Sequence, residues 1–202
     1  MIFLPSGGDM SKLLLLVGLA LSSELFAFET YSKDEFSQRR AAYIHQMQSG
    51  LLVLRGGKGV VRNNDVHYPF RQDSSYYYLT GIDEEETILI LDPFSQDQFT
   101  LFLREKNYTK ELWDGKLTGL AKAQIDLGAD KAYPLKKFKN VLKEKLAFHQ
   151  KVYLDLADKE LVDFVLENLY ERQKAGRRQD QQVDLEIADA LPILNNLRLV
   201  KS

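Results

Sequence analysis

Most of the closely spaced, chemically capable side chains of this chain lie in residues 62–81, RNNDVHYPFRQDSSYYYLTG. Two arginines, two aspartates, a histidine, a glutamine and two serines stand there beside five aromatic rings. Charged groups among rings must be paired or hydrogen-bonded if they are buried. The stretch therefore reads as a polar approach that runs into a buried strand over residues 75–80, stopped by Gly81. Arg62, Asp65, Tyr68, Arg71, Gln72 and Ser74 are expected to form a structural polar network that fixes strand and loop.

Catalytic arrangements are harder to find. His67 lies between Asp65 and Ser74, yet Ser74 is not on a Gly-x-Ser-x-Gly elbow and no oxyanion loop accompanies it. His45, on an expected helix, and His149, just after one, lack an Asp, Glu or His partner at metal-ligand spacing on the same face. Both read as surface or packing residues. The glycines of RGGKG, residues 55–59, lack the spacing and the Lys-Ser/Thr ending of a phosphate loop and read as a turn. The acidic run at residues 83–86 reads as a solvated turn. No catalytic residue and no metal-ligand set is assigned. With no cysteine there is also no disulfide, thiolate site or cysteine nucleophile.

Two further residues carry recognition chemistry. Trp113, the only tryptophan, sits in KELWDGKLTG, and its neighbours leave both a core and a surface position open. Arg178 lies in GRRQDQQ, residues 176–182, which on residues alone is a solvated basic segment past a helix end. An arginine there has the geometry to pair with a carboxylate through two hydrogen bonds.

The elements that must position these residues alternate in type. Helical spacing of Phe36, Tyr43, Ile44 and Met47 predicts a helix over 33–48, and further helices are expected over 117–127, 135–148 and 159–174. The third of these carries five lysines, and the last carries a stripe of Leu161, Val162, Val165, Leu166, Leu169 and Tyr170. Apolar runs predict strands over 51–55, 87–91, 99–103 and 151–156. The strands at 75–80, 87–91 and 99–103 are too close together for intervening helices and are expected to be neighbours. The fold class that follows is α/β, one mixed β-sheet flanked by helices.

At 202 residues the chain can bury a substantial core. A net charge of -2 and a pI near 6.0 argue against nucleic-acid or anionic-membrane partners. Near the N-terminus, Lys12, the apolar run LLLLVGLAL and a small residue at Ala27 describe a secretory signal over residues 1–27. That run is too short for a stable membrane span. Residues 1–27 are thus expected to be a signal peptide, which would make the protein secreted or periplasmic; without it the chain would be cytoplasmic.

The run YPFRQDSSYYYLTG, preceded by Arg62 and Asp65, resembles the N-terminal domain of the Xaa-Pro aminopeptidases (aminopeptidase P), relatives of prolidase and creatinase. The resemblance covers about residues 31–202 and implies a mixed sheet with helices on its faces. It implies a domain over 28–184 and a connector over 185–202 that leads toward a catalytic domain. The family activity is removal of an N-terminal residue that precedes proline, by two divalent metal ions, typically manganese, held in that catalytic domain. The resemblance thus implies no cofactor in this chain. It further implies a homo-oligomer or a peptidase catalytic domain as partner, and a proline-containing peptide as substrate. Trp113 and Arg178 are similar to family residues that reach the substrate site, Trp113 that of a neighbouring subunit. The expectation is a non-catalytic domain that supports oligomerisation; the alternative is a secreted stand-alone binding module of the same fold.

Overall fold

Four runs rich in aliphatic side chains, Leu51–Arg55 (β1), Ile88–Leu91 (β4), Phe99–Leu103 (β5) and Lys151–Leu154 (β7), are buried along almost their whole length. Strands of that kind need cover on both faces. The computed structural model describes residues 32–64, 66–106, 117–176 and 185–199. The expected signal peptide lies outside the described residues. Two edge strands, Lys131–Pro134 (β6) and Glu186–Asp189 (β8), complete a six-stranded sheet of order β6-β5-β4-β1-β7-β8. β4 runs antiparallel to both β1 and β5, while the β5–β6, β1–β7 and β7–β8 pairs are parallel. Only β4 therefore points against the rest. A separate ribbon pairs Val61–Asn63 (β2) with Val66–His67 (β3).

The mixed α/β sheet expected from the sequence is the fold observed. On one face Leu52, Leu54, Leu89, Leu91, Leu101 and Leu103 pack against four helices, Lys33–Met47 (α1), Ser74–Thr80 (α2), Gly119–Ile125 (α3) and Leu191–Leu199 (α6). On the other face Leu51, Val53, Ile88, Ile90, Phe102, Val152 and Leu154 meet Phe138–Leu146 (α4) and Lys159–Gly176 (α5). Each strand thus divides its alternate residues between two cores.

Residues 75–80, expected to be a buried strand, are helical, and the three neighbouring strands reduce to the β4–β5 hairpin. The Asp73 carboxylate accepts from the backbone N–H groups of Ser75 (2.9 Å) and Tyr76 (2.8 Å), an N-cap that starts α2. Tyr76, Leu79 and Thr80 are buried and Tyr77 is exposed, which is helical rather than alternating spacing. Gly81 stops the segment as expected, but as a left-handed C-cap with φ 69°. A Cβ there would lie 2.5 Å from the Phe36 ring, so both backbone and space require glycine. Elsewhere, β6, β8 and the packing of α6 go beyond the sequence reading. Leu166 and Tyr170, assigned to the buried stripe of α5, are 46% and 62% exposed.

α6 falls within the stretch read as a connector, yet its Leu194 is fully buried in the same core as Tyr43 and Met47. Leu194→Ala is expected to cost about 2–5 kcal/mol and to lower the Tm clearly, as read by thermal unfolding of the full chain.

Candidate functional site

Because only β4 is reversed, the carboxyl ends of β1, β5, β6, β7 and β8 emerge along one edge of the sheet. In open α/β sheets this edge is where ligands are usually met. The polar loops of the chain collect there around Gln72, which is buried. Its Oε1 accepts from the backbone N–H groups of Gly57 (2.6 Å) and Asp73 (2.9 Å), and its Nε2 donates to the Glu84 carbonyl (2.8 Å). One amide thus ties the end of β1, the start of α2 and the acidic turn together. Gly56 makes room for it: a Cβ at that position would lie 2.6 Å from Thr87 Oγ1 and 3.0 Å from Gln72 Oε1. The RGGKG segment is therefore a pairing extension of β1 as well as a bend, with Gly56 N–H donating to Thr87 O and Glu86 N–H to Gly57 O.

The acidic turn is engaged rather than merely solvated. Glu84 Oε1 accepts from the Thr118 backbone N–H at 2.5 Å and from the Thr118 hydroxyl. Glu84 thus fixes Thr118, just ahead of α3, to the carboxyl edge. Nearby, Arg55 at the end of β1 pairs with Asp158 (3.0 Å) and Glu160 (2.7 Å), and Lys58 also reaches Glu160.

Two buried arginines, which drew no attention in the sequence, hold the other end of α2. Arg40 donates to Leu79 O at 3.0 Å and stacks over Phe99 with its guanidinium carbon 3.9 Å from the ring centroid. Arg39 donates to Tyr78 O, pairs with Glu35 and lies over the Phe36 and Tyr78 rings. Burial pulls the Arg40 guanidinium down to about 10, with Asp130 opposing the shift. The available signal was their place on the apolar face of the helix, three and four residues from both Phe36 and Tyr43.

Of the residues expected to form the polar network, Gln72 is the one at the centre of a dense set of bonds. Arg71 and Ser74 are exposed. Arg62 and Tyr68 are exposed on the β2–β3 ribbon, with the Arg62 guanidinium carbon 5.8 Å from the Tyr68 ring centroid. Asp65, Trp113 and Arg178 lie outside the described residues. His67 lies in β3 and His45 is exposed. His149 acquires a partner that the local sequence does not reveal: its Nε2 is 3.1 Å from Asp92 Oδ1, and Asp92 Oδ2 is 2.7 Å from Lys145 Nζ. Burial alone would raise the Asp92 carboxyl, but the hydrogen bonds from His149 and Lys145 bring it down to about 2. Among the described residues no group of three or more His, Cys, Asp or Glu side chains converges as a metal site. No helix of the described residues is long and apolar enough to cross a membrane.

Residues 36–153 match the family described as "Aminopeptidase P, N-terminal domain". The Xaa-Pro aminopeptidase of Escherichia coli is 31% identical over 174 residues, which is 85% of this chain and 40% of that enzyme. Xaa-Pro aminopeptidase 3 of mouse is 29% identical over 185 residues, again 85% of this chain and 36% of that protein. Among solved structures, E. coli aminopeptidase P with the inhibitor Pro-Leu superposes with a TM-score of 0.72 at 30% identity, covering 84% of this chain and 39% of that one. Pseudomonas aeruginosa aminopeptidase PepP gives 0.69 at 31% identity, covering 79% and 36%. The chain therefore spans about 40% of the length of the E. coli relative that it matches.

Two outcomes follow from this geometry. Gln72→Ala strands three backbone groups and is expected to cost about 2–4 kcal/mol, whereas Arg71→Ala, at an exposed position, should shift the Tm much less. Denaturant titration of both variants measures the contrast. For Asp92 the folded value lies below the ordinary 3.8. Its contribution of about 2 kcal/mol is thus present above pH ~4 and is lost as pH falls toward 2. The stability difference between wild type and Asp92→Asn should shrink as pH falls from ~4 toward 2, as followed by Tm against pH.

Proposed function

The chain belongs to the family of aminopeptidase P N-terminal domains, and on that premise we propose that it acts as the non-catalytic N-terminal domain of a Xaa-Pro aminopeptidase-type peptidase. It contributes to oligomer assembly and to the lining of a substrate site for peptides with proline in second position. The observation that supports this reading is the Glu84–Thr118 hydrogen bond at the carboxyl edge of the sheet, since in the sequence Thr118 lies five residues after Trp113. Trp113 and Arg178 are the residues this chain would lend to a site completed by a catalytic domain or a neighbouring subunit. Any metal pair, manganese in the family, would belong to that catalytic domain.

A role in assembly is supported by the ribbon beside this edge. Val60, Val61 and Tyr68 are all more than half exposed and adjoin one another, since the Tyr68 N–H donates to Val60 O at 2.9 Å. Apolar groups gathered in this way on a two-stranded ribbon suit contact with another protein surface.

The test uses the full chain, alone and mixed with a full-length Xaa-Pro aminopeptidase, with manganese and an Xaa-Pro peptide. No turnover by the chain alone is expected. A mixed or self-associated complex is expected by light scattering, and Trp113→Ala or Arg178→Ala should reduce any change that the chain causes in the partner's turnover. Robust turnover by the chain alone, or an inert monomer that associates with nothing, would overturn the reading.

A further inference from the structure

The reversal of β4 also sends Asp92 to the opposite edge of the sheet, away from Gln72 and Glu84. There a pocket of about 660 Å³ opens between the β4–β5 turn, the end of α4 and the starts of β1 and β7. His149 and Asp92 lie in its wall, with side chains 8% and 5% exposed. Both Asp92 oxygens are occupied, one by His149 Nε2 and one by Lys145 Nζ. Since the Asp92 carboxylate only accepts, His149 Nε2 must carry the hydrogen, and in the neutral imidazole Nδ1 is then a bare acceptor. Among the described residues no hydrogen bond reaches Nδ1, and His149 is half-buried in the pocket wall, so this acceptor is open to the pocket.

The rest of the wall selects what can meet that acceptor. Lys145 is taken by Asp92, and Lys151 is 2.7 Å from Glu186. Glu144 adds further negative charge to the lining. With its cations already neutralised, the pocket offers little to an anion. Its mouth carries two aromatic rings, Phe94 at 70% and Phe148 at 88% exposed, and the Phe94 ring centroid is 6.2 Å from that of His149. Exposed phenylalanines beside a half-buried histidine with one open acceptor make an apolar slot with one directional polar contact.

We propose that this pocket is a binding site for a neutral aromatic group that donates one hydrogen bond, of the phenol class, with its ring against Phe94 and Phe148 and its O–H on His149 Nδ1. The site is independent of the peptidase reading, because it lies at the other edge of the sheet and uses none of the same residues. The group could arrive as a free phenol or as a tyrosine side chain of a peptide.

Titration of the labelled full chain by NMR, following the His149 imidazole resonances, tests the assignment with p-cresol as probe. 4-Methylanisole, the same ring with the hydroxyl methylated, should bind on the order of tenfold more weakly, the worth of one hydrogen bond. Benzoate should also bind more weakly than p-cresol. His149→Gln keeps a donor for Asp92 but removes the Nδ1 acceptor, so it should abolish the preference for p-cresol over 4-methylanisole. Phe148→Ala, at an exposed position that does not threaten folding, should weaken both ligands severalfold without changing their ratio. Equal binding of p-cresol and 4-methylanisole, stronger binding of benzoate, or shifts confined to residues outside the pocket would overturn the proposal. N-acetyltyrosinamide binding more tightly than p-cresol would identify a peptide side chain as the occupant, and weaker binding a free phenol.

Discussion

A helix of seven residues cannot satisfy its own ends. In α2 most of the backbone N–H and C=O groups fall in the first or last turn, where no intrahelical partner exists, and the helix lies against the sheet. Each such group needs a partner that the fold must bring to it. Asp73 supplies the acceptor at the start, and the Gly81 N–H donates to Tyr77 O at the finish. Thr80 donates its hydroxyl to Tyr76 O while accepting from the Ile82 N–H. Arg40 and Arg39 reach across from α1 to the Leu79 and Tyr78 carbonyls. The pairing of α1 with α2 is thus specified by polar groups, and the apolar contacts between them follow.

Buried arginines are a costly way to cap a helix, and the surroundings show how the cost is met. Arg40 is stacked on Phe99, bonded to Leu79 O and within the field of Asp130. Arg39 lies between Phe36 and Tyr78 with Glu35 as its ion partner. Removing any one partner would leave charge in a place of low polarity, which explains why rings and charges are interleaved so densely here. The same logic explains Gln72. A single neutral amide that bonds three backbone groups satisfies more buried polarity than a charged side chain could without a counter-ion.

One topological fact organises everything else. A single reversed strand, β4, separates the two ends of the sheet into chemically different edges. The edge where the other strands finish gathers Gln72, Glu84 and Thr118. The opposite edge receives the β4–β5 turn, and with it Asp92, which meets His149 and Lys145 as they come off α4.

Much of this was legible in the order of residues. The aliphatic runs had to be buried strands, the periodic residues after Lys33 had to be a helix, and Gly81 had to end whatever preceded it. The odd composition of residues 62–81 was enough to suggest the family and its mixed sheet. The helix at α2 was legible in principle, because Asp73 before two serines is a cap signal, but three consecutive tyrosines favour a strand by propensity alone. β6 and β8, with sequences KAYP and EIAD, carry too few aliphatic residues to announce themselves, since an edge strand needs only one half-buried side. What only the tertiary structure decided is which polar group meets which. Arg40 with the Leu79 carbonyl, Gln72 with Gly57 and Glu84, and His149 with Asp92 are each brought together by sheet order and strand direction. Spacing along the chain reports which residues share a helix face or strand side, but hydrogen bonds form at about 3 Å between groups whose separation in sequence leaves no periodic trace.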